Sequence, residues 1–309
     1  MRIVFMGTPQ FAAVSLEQLY NDNYDVAAVF TQADKPRNRG MKLSYSPVKE
    51  LALSHGTDVF QPTTLKDGKA AEIIKGLSCE LIVVVAYGKI LPNEILDIPP
   101  LGCINIHGSL LPKYRGAAPI QHAIINGEKE TGVTSQYVTE EVDAGDIILY
   151  KKTNIGDDET SADLFHRLGL LGAELLGETV DAIAKGIAKR IPQSNADVTY
   201  APLLTKDISA IDWRKSAGSI KNLVRGLIPW PIATMKLNET TLKVFSVDTD
   251  NKVTEHIPGS IITNSRDGLK IACADGCIIV KEVQAPGGKR MSSADYLRGN
   301  PIGNTSNIL

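Results

Sequence analysis

The feature that most constrains the fold is an uninterrupted apolar run, LIVVVA, at residues 81–86. A strand that is apolar on both faces is typical of the centre of a parallel sheet covered by helices on each side. Around this run, strand patterns such as RIVFMG and YDVAAVFT alternate with helix patterns such as FAAVSLEQLYND and KAAEIIKGL. The alternation predicts an α/β domain with a doubly wound sheet.

A different pattern begins beyond residue 205. Residues 191–205 contain two prolines and little periodicity, which predicts a linker. After one helix over SAGSIKNLVRGL, short alternating apolar runs are separated by Gly, Asn and Asp, as in a small antiparallel β domain or barrel. We therefore expect a first domain over 1–190, a linker over 191–205 and a second domain over 206–309.

Two serines are predicted to begin helices. Ser46 precedes Pro47 at the start of an apolar-periodic stretch, and Ser161 stands before a long helical pattern that runs to about residue 185. The 21 residues from Gly132 to Lys152 contain two extended runs around the acidic loop EEVDAGD, which predicts a β-hairpin.

Composition excludes several classes of protein. A chain of 309 residues with 43% apolar and 22% charged residues is an ordinary globular composition for about two domains. Its apolar runs fall short of the roughly 18–20 residues that span a membrane, so no membrane partner is expected. Four cysteines do not form a disulfide framework, and the CADGC stretch lacks a second pair of ligands, so we expect no metal site and a reducing cytoplasm.

Charge is distributed unevenly along the chain. Residues 1–203 carry 19 Lys or Arg against 25 Asp or Glu, whereas residues 204–309 carry 14 against 10. A basic second part is consistent with a polyanionic partner, and an ordinary solvated surface explains it equally well.

Three segments fall where ligands bind in open α/β sheets, beyond the carboxyl ends of strands. They are GTPQF at 7–11, YGKILP at 87–92 and NIHGSLLP at 105–112. The first is not a dinucleotide fingerprint, because GxGxxG is absent. Ser109 lacks a GxSxG elbow, which argues against a hydrolase nucleophile.

Asn105 and His107 have the same strand parity, so both side chains point to one face of the sheet. An amide and a protonated imidazole aimed at one point suit a developing oxyanion. A carboxylate would be needed to orient the histidine. The acidic loop offers Glu140, Glu141, Asp143 and Asp146, of which Asp143 stands just before Ala-Gly, and spacing alone does not place this loop beside His107. The alternative for His107 is a structural histidine at a strand end.

Residues 31–49, TQADKPRNRGMKLSYSPVK, form the other unusual segment. From residue 35 to residue 49 the segment holds five Lys or Arg and no acidic residue until Glu50. It is longer than the usual connection of about 2–6 residues, and a basic loop at a strand's carboxyl end suits contact with a phosphate backbone. The alternative is a solvated loop.

The pattern N-x-H-x-S-L-L-P, with Asp143 placed 36 residues beyond His107, resembles the folate-dependent formyltransferases. Members of that superfamily act on methionyl-tRNA, glycinamide ribonucleotide or amino sugars. RIVFMGTPQFA, TQADKPRNRGMKLSYSPVK, TYAPLLTKDISAIDW, PWPIA and KEVQAPGGKRM are similar to the methionyl-tRNA formyltransferase family, so the resemblance covers almost the whole chain. It departs in the basic loop, where Asn38 and Met41 replace a Gly and a basic residue, and near Lys206, where a second Lys is missing.

The resemblance implies a Rossmann-like formyltransferase domain followed by a small OB-like β-barrel that binds tRNA. It implies transfer of a formyl group from 10-formyltetrahydrofolate to methionyl initiator tRNA, without a metal, by a monomer in the bacterial cytoplasm. The family's catalytic residues fall on Asn105, His107 and Asp143. Its folate contacts fall on Ser109, Leu110, Leu111, Pro112, Ile90, Leu91 and Val138. Its tRNA contacts fall on Lys35, Arg37, Arg39, Lys42 and Lys206, and Phe11 borders the methionyl pocket.

Two alternatives remain open at this point. A folate-dependent enzyme could formylate an amino sugar nucleotide, and the basic loop with the PWP-containing second domain argues against that. A non-catalytic RNA-binding relative is also possible in principle, and the intact Asn105, His107 and Asp143 argue against it. The orientation of Lys113, Tyr114 and Arg115, toward folate or toward tRNA, is undetermined by the sequence.

Overall fold

A computed structural model describes residues 1–37, 42–252, 254–265 and 268–301. The chain forms two compact units. The first contains Met1–Pro119, Glu130–Asn154 and Phe165–Ala201, and the second contains Ile120–Lys129, Ile155–Leu164 and Pro202–Leu309. The predicted linker over 191–205 contributes residues to both units, and the predicted domain limits stay a prediction.

The strands of the seven-stranded sheet are β1 (Arg2–Gly7), β2 (Asp25–Phe30), β5 (Val59–Phe60), β6 (Leu81–Val85), β7 (Cys103–His107), β8 (Glu130–Tyr137) and β9 (Ile147–Asn154). A two-stranded sheet is formed by β3 (Lys35–Arg37) and β4 (Lys42–Ser44). The helices up to residue 184 are α1 (Gln10–Asn21), α2 (Pro47–Ser54), α3 (Lys69–Leu77), α4 (Asn93–Leu96), α5 (Pro119–Ile125) and α6 (Ser161–Ala184).

The large sheet has the order β5-β2-β1-β6-β7-β8-β9. The first five strands are parallel, and β8 and β9 extend the sheet as an antiparallel pair, which confirms the predicted hairpin. The apolar run that the sequence places at the centre is β6, in which all five residues are buried. Because the Leu, Ile and Val side chains of β6 are removed from water on both faces of the sheet, their burial stabilises the fold through the hydrophobic effect.

The parallel strands β1, β6 and β7 are neighbours in the sheet. Their carboxyl ends therefore meet at one edge, and the three segments singled out in the sequence follow those ends. A change of strand direction occurs beside this edge, because β8 runs antiparallel to β7. The edge is consequently bordered by loops from both the parallel and the antiparallel part of the sheet.

The predicted cap of α2 is confirmed and that of α6 is wrong. The Ser46 side chain accepts a hydrogen bond from the backbone N–H of Lys49. At α6 the residue that caps is Thr160, whose Oγ1 accepts from the N–H of Asp163 while the Asp163 carboxylate accepts from the N–H of Thr160. This reciprocal pair satisfies two free N–H groups, and the hydroxyl of Ser161 instead donates to the carbonyl of Ile228.

The second unit contains α7 (Ala217–Gly226), β10 (Ala233–Leu237), β11 (Thr240–Asp250), β12 (Ile261–Ser265), β13 (Gly268–Ala272), β14 (Cys277–Gln284), β15 (Met291–Ser292) and α8 (Ser293–Gly299). The strands form an antiparallel sheet in the order β10-β11-β14-β13-β12, and β15 pairs with β14. In the described part of the chain β10 and β12 lie at its edges, so the predicted small barrel is a half-barrel. The predicted fold class, an α/β domain followed by an antiparallel β domain, is confirmed.

In the ranges given above, every helix is too short or too polar to cross a lipid bilayer.

In the basic segment predicted as a loop, strands β3 and β4 pair, and this part of the chain is called the basic hairpin below. A cluster of polar side chains flanks it. The Lys49 ammonium lies 2.6 Å from Asp34 Oδ2 and 2.8 Å from Gln61 Oε1, and it lies over the ring of Tyr45. Gln61 also donates to the other oxygen of Asp34 and to the carbonyl of Gln32. Lys49 is therefore bound within the protein and is not one of the cations offered to a partner.

The Lys49→Met variant is expected to lose about 1–3 kcal/mol of the free energy of unfolding at pH 7. Hydrogen bonds from Lys49 and Gln61 lower the pKa of Asp34 below its ordinary value of 3.8. The ionised Asp34–Lys49 pair therefore stabilises the fold above pH 3.8, and this stabilisation is lost as the pH falls through the lowered pKa. Urea denaturation at pH 7 and at pH 3 measures the free energy of unfolding at each pH, and Lys66→Met, at an exposed lysine, is the control. An equal loss at both pH values would assign the effect to packing rather than to the ion pair.

Candidate active site

The carboxyl end of β7 presents Asn105 and His107 on one face of the sheet. The residue between them, Ile106, is buried on the opposite face, where a side chain at Gly172 of α6 would meet it. Across the antiparallel β7–β8 pair, Asn105 lies opposite Gln136 and His107 lies opposite Thr134. The alternation of side chains along β7 thus sets an amide and an imidazole side by side, as strand parity predicts.

The loop between β8 and β9 brings Asp143 to these two side chains. Its Oδ1 accepts from Gln136 Nε2 at 2.9 Å and from Asn105 Nδ2 at 3.4 Å. Its Oδ2 accepts from the backbone N–H of Gly116 at 2.9 Å and lies 3.5 Å from His107 Nδ1. A carboxylate with only 12% of its side chain exposed needs such donors, since an unpaired buried charge is costly.

His107 is held through both ring nitrogens and has only 6% of its side chain exposed. Its Nε2 lies 2.9 Å from the carbonyl oxygen of Tyr114, and its Nδ1 faces the carboxylate of Asp143. An imidazolium, which donates from both nitrogens, satisfies both contacts. Because Nε2 is bound to the backbone, Nδ1 is the nitrogen that remains directed into the site.

The backbone of the acidic loop is fitted closely to the end of β8. Asp143 has a φ of 54°, a left-handed conformation that costs a non-glycine residue free energy and that Asp tolerates better than most. Two residues later, a Cβ at Gly145 would overlap the carbonyl of Tyr137. The VDAGD sequence therefore combines the carboxylate that faces His107 with the glycine that the close approach to Tyr137 requires.

The segment after β7 is fixed by Thr134, which the sequence did not single out. Thr134 Oγ1 donates to the carbonyl of Ser109 at 2.7 Å and accepts from the N–H of Leu111 at 3.1 Å. The Ser109 hydroxyl is fully buried and donates to the carbonyl of Lys113 at 2.6 Å. The Ser109 side chain thus shapes the turn, whereas Leu110 and Pro112 are half-buried and remain accessible.

Lys113, Tyr114 and Arg115 differ in burial and in their partners. Arg115 is buried, and its guanidinium donates to Gln193 Oε1 from Nε at 3.1 Å and from Nη2 at 2.9 Å. Its Nη1 lies 3.3 Å from Glu141 Oε1. Tyr114 is also buried, and only Lys113 is exposed. Arg115 is therefore held by Gln193 and Glu141 within the protein.

The segments expected at the folate border the same edge of the sheet. Ile90 is 68% exposed, whereas Leu91 is buried in the core cluster that also contacts Val138. The N–H of Val138 donates to the carbonyl of Cys103 at the start of β7. Ile90 therefore presents an apolar side chain to solvent, whereas the N–H of Val138 is bound within the protein.

Phe11 and the basic residues occupy different places. Phe11 is buried against Phe165 of α6, with ring centroids 5.3 Å apart. Lys206 is exposed at the start of a short 3-10 helix in the second unit. The backbones of Lys35, Arg37 and Lys42 lie in β3 and β4, and Arg39 lies outside the described residues.

Sequence reasoning missed three groups that contact Asp143 or its loop: Gln136, the Gly116 amide and Gln193. Gln136 could have been found, because it pairs with Asn105 once β8 is placed beside β7. Gly116 and Gln193 carried no local signal. Gln193 stands in a segment without periodicity, 50 residues from Asp143.

Among known proteins, the chain matches formyl transferases in both its N-terminal and its C-terminal part. A family model described as formyl transferase matches residues 1–180, and one described as formyl transferase, C-terminal domain, matches residues 203–301. The chain is 47% identical over 305 residues to the methionyl-tRNA formyltransferase of Ruminiclostridium cellulolyticum, covering 98% of this chain and 97% of the relative. It is 48% identical over 304 residues to that of Acetivibrio thermocellus, covering 98% of each.

Solved structures share the fold at lower identity. An N-formyltransferase from Helicobacter canadensis in complex with folinic acid and dTDP-3-aminofucose superposes with a TM-score of 0.68 at 22% identity, over 92% of this chain and 99% of that one. HypX from Aquifex aeolicus in complex with tetrahydrofolic acid gives a TM-score of 0.61 at 18% identity, over 100% of this chain and 50% of that one. At such identities the likeness establishes the fold alone.

The Gly116→Ala variant is expected to be destabilised more than Gly56→Ala. Both glycines have positive φ, at 117° and 69°, but a Cβ at 116 would lie 2.8 Å from the carbonyl oxygen of Ala201, whereas Gly56 has open space. Backbone strain alone costs about 1–3 kcal/mol, and the clash adds about 1–3 kcal/mol. Thermal or urea denaturation measures the difference. Equal losses would show that the Ala201 carbonyl yields without cost.

Proposed function

The chain belongs to the methionyl-tRNA formyltransferases, and from that premise we propose how its residues divide the work. The enzyme transfers the formyl group of 10-formyltetrahydrofolate to the α-amino group of methionyl initiator tRNA. The observation that carries the proposed mechanism is the convergence of Asn105, His107 and Asp143 at the carboxyl end of β7. An amide, an imidazole and a carboxylate in contact suit a direct acyl-type transfer.

The transfer breaks one bond and forms one. The amine nitrogen attacks the formyl carbon, the carbonyl oxygen gains negative charge, and the bond from that carbon to N10 of the folate then breaks. The attacking amine loses one proton, and N10 receives one. The protein therefore has two tasks, which are to stabilise the oxyanion and to move a proton.

Asn105 and His107 are the proposed oxyanion donors. Asn105 is half-buried and uses one amide hydrogen on Asp143 at the long distance of 3.4 Å, which leaves the second for a ligand. His107 Nε2 is bound to the Tyr114 carbonyl, so the proposed donor is Nδ1–H, which lies 3.5 Å from Asp143 Oδ2. Such contacts tighten when substrate is bound.

Asp143 is proposed to stabilise protonated His107 and to help move the proton that the amine loses. Its Oδ2 faces His107 Nδ1, so the carboxylate stabilises the imidazolium by Coulomb attraction in a poorly solvated place. The proton lost by the amine passes to the Asp143–His107 pair and from there to N10. The other donors, Gln136 and the Gly116 amide, fix the carboxylate without supplying protons to the reaction.

The folate is proposed to bind along Ile90, Leu91, Val138 and the 109–112 segment. Exposed Ile90 and half-buried Leu110 and Pro112 provide apolar contacts. Ser109 and Leu111 support that segment from beneath, since both side chains are buried.

The tRNA is proposed to bind the basic hairpin through Lys35, Arg37, Arg39 and Lys42, with Lys206 as a further contact and Phe11 at the edge of the methionyl pocket. The enzyme is proposed to act as a monomer. The bacterial relatives support a place in the bacterial cytoplasm.

Asn105→Ala and His107→Ala are each expected to lower kcat by about 10²–10³, because each removes an oxyanion donor. Transfer of a labelled formyl group from 10-formyltetrahydrofolate to methionyl-tRNA measures the loss, and His166→Ala, which truncates an exposed histidine of α6, is the control. Near-full turnover in either variant would contradict the mechanism. Amino sugar nucleotides assayed as acceptors should remain unformylated.

Arg39→Ala is expected to raise KM for methionyl-tRNA several-fold and to leave KM for the folate unchanged, because a phosphate contact is lost. Its tRNA affinity should also depend less steeply on salt. Filter binding across a salt series and steady-state kinetics measure the two effects, with exposed Lys75→Ala on α3 as a control. Equal losses for both substrates would count against the assignment of the basic hairpin to tRNA.

A further inference from the structure

The segment that leaves the first unit, residues 191–201, is bound to the active site at both of its ends. It begins by pairing with the first residue of β9: the N–H of Ile191 donates to the Ile147 carbonyl at 3.0 Å, and the N–H of Ile147 donates to the Ile191 carbonyl at 2.8 Å. Because β9 starts where the acidic loop ends, this pairing directs the following residues along that loop.

Gln193 makes the contacts nearest to Asp143. Its Nε2 donates to the backbone carbonyl of Asp143 at 2.9 Å and to that of Gly145 at 2.8 Å, and it lies 3.2 Å from Gln136 Oε1. Its Oε1 accepts two hydrogen bonds from the buried guanidinium of Arg115. One side chain thus joins the loop that carries the carboxylate to the turn that follows His107.

The other end of the segment holds that turn. The N–H of Tyr114 donates to Thr199 Oγ1, and the N–H of Arg115 donates to the Thr199 carbonyl. The Arg115 carbonyl accepts from the N–H of Ala201. This turn supplies the Tyr114 carbonyl to His107 Nε2 and the Gly116 amide to Asp143 Oδ2.

We propose that Gln193 is a positioning residue for the reaction, which acts by fixing the backbone of Asp143 relative to His107. The proposal rests on the proposed role of Asp143. A residue at φ 54° keeps its side-chain direction only if the surrounding contacts hold the backbone. The hydrogen bond from Gln193 Nε2 to the Asp143 carbonyl is such a contact, and misplacement of a reacting group by about 1 Å can cost about 10²-fold in rate.

Two substitutions separate the two halves of the Gln193 amide. Gln193→Met keeps the length and loses every hydrogen bond. Gln193→Glu keeps an acceptor for Arg115 but turns the donor toward the loop carbonyls into a second acceptor. The matched control is Gln18→Met, which removes a half-buried glutamine of α1 whose side-chain amide donates to Asp22.

Both Gln193 variants are expected to lower kcat by about 10- to 100-fold per folded molecule, with KM for methionyl-tRNA within about twofold of the unchanged enzyme. Gln18→Met should retain kcat. Kinetics with 10-formyltetrahydrofolate and methionyl-tRNA, together with thermal denaturation, give these values. A purely structural role would lower the unfolding temperature or the folded fraction and leave kcat per folded molecule unchanged.

Three results would overturn the proposal: kcat within twofold of the unchanged enzyme in Gln193→Met, retained kcat in Gln193→Glu, or failure of both variants to fold. Asp143→Asn measured alongside distinguishes the source of a failure. If Asp143→Asn is inactive while the Gln193 variants are fully active, only the positioning role is wrong. If Asp143→Asn is itself fully active, the proposed mechanism is wrong.

Discussion

The carboxylate of Asp143 is the group on which the arrangement of the site depends. It accepts from side chains of β7 and β8 and from the turn at Gly116, and it faces His107. A buried carboxylate is tolerable only where its donors are supplied, so the strand, the turn and the acidic loop are fixed relative to one another by a single charged group. The parallel sheet provides the rigid edge, and the antiparallel hairpin returns the loop to that edge.

Basic residues in this chain divide into those that hold the fold and those that remain for a partner. Lys49 is bound to Asp34 and Gln61, and Arg115 is buried on Gln193 and Glu141. Both stand in sequence stretches that look like anion-binding loops. A count of positive charges therefore overstates the surface available to nucleic acid, and the tRNA assignment depends on the residues of the basic hairpin and on Lys206.

Prediction from the sequence succeeded where the signal was periodic. The buried run at β6 identified the sheet, and strand parity placed Asn105 and His107 on one face. It failed where two neighbouring residues could serve equally, as at α6, where Thr160 rather than Ser161 is the cap. The choice there was made by the reciprocal contact with Asp163 and by the Ile228 carbonyl, which lies 67 residues from Ser161.

The sequence by itself determined the order of strands and helices, the faces of the strands and the residue types of the site, because these follow from local periodicity and from motif spacing. Only the tertiary structure decided which donors meet Asp143, that His107 is bound through Nε2 to the Tyr114 carbonyl while Nδ1 faces Asp143, and that Gln193 contacts the loop that carries Asp143. Contacts between residues 27 to 50 positions apart arise from sheet order and loop closure. No pattern within a window of a few residues contains that information.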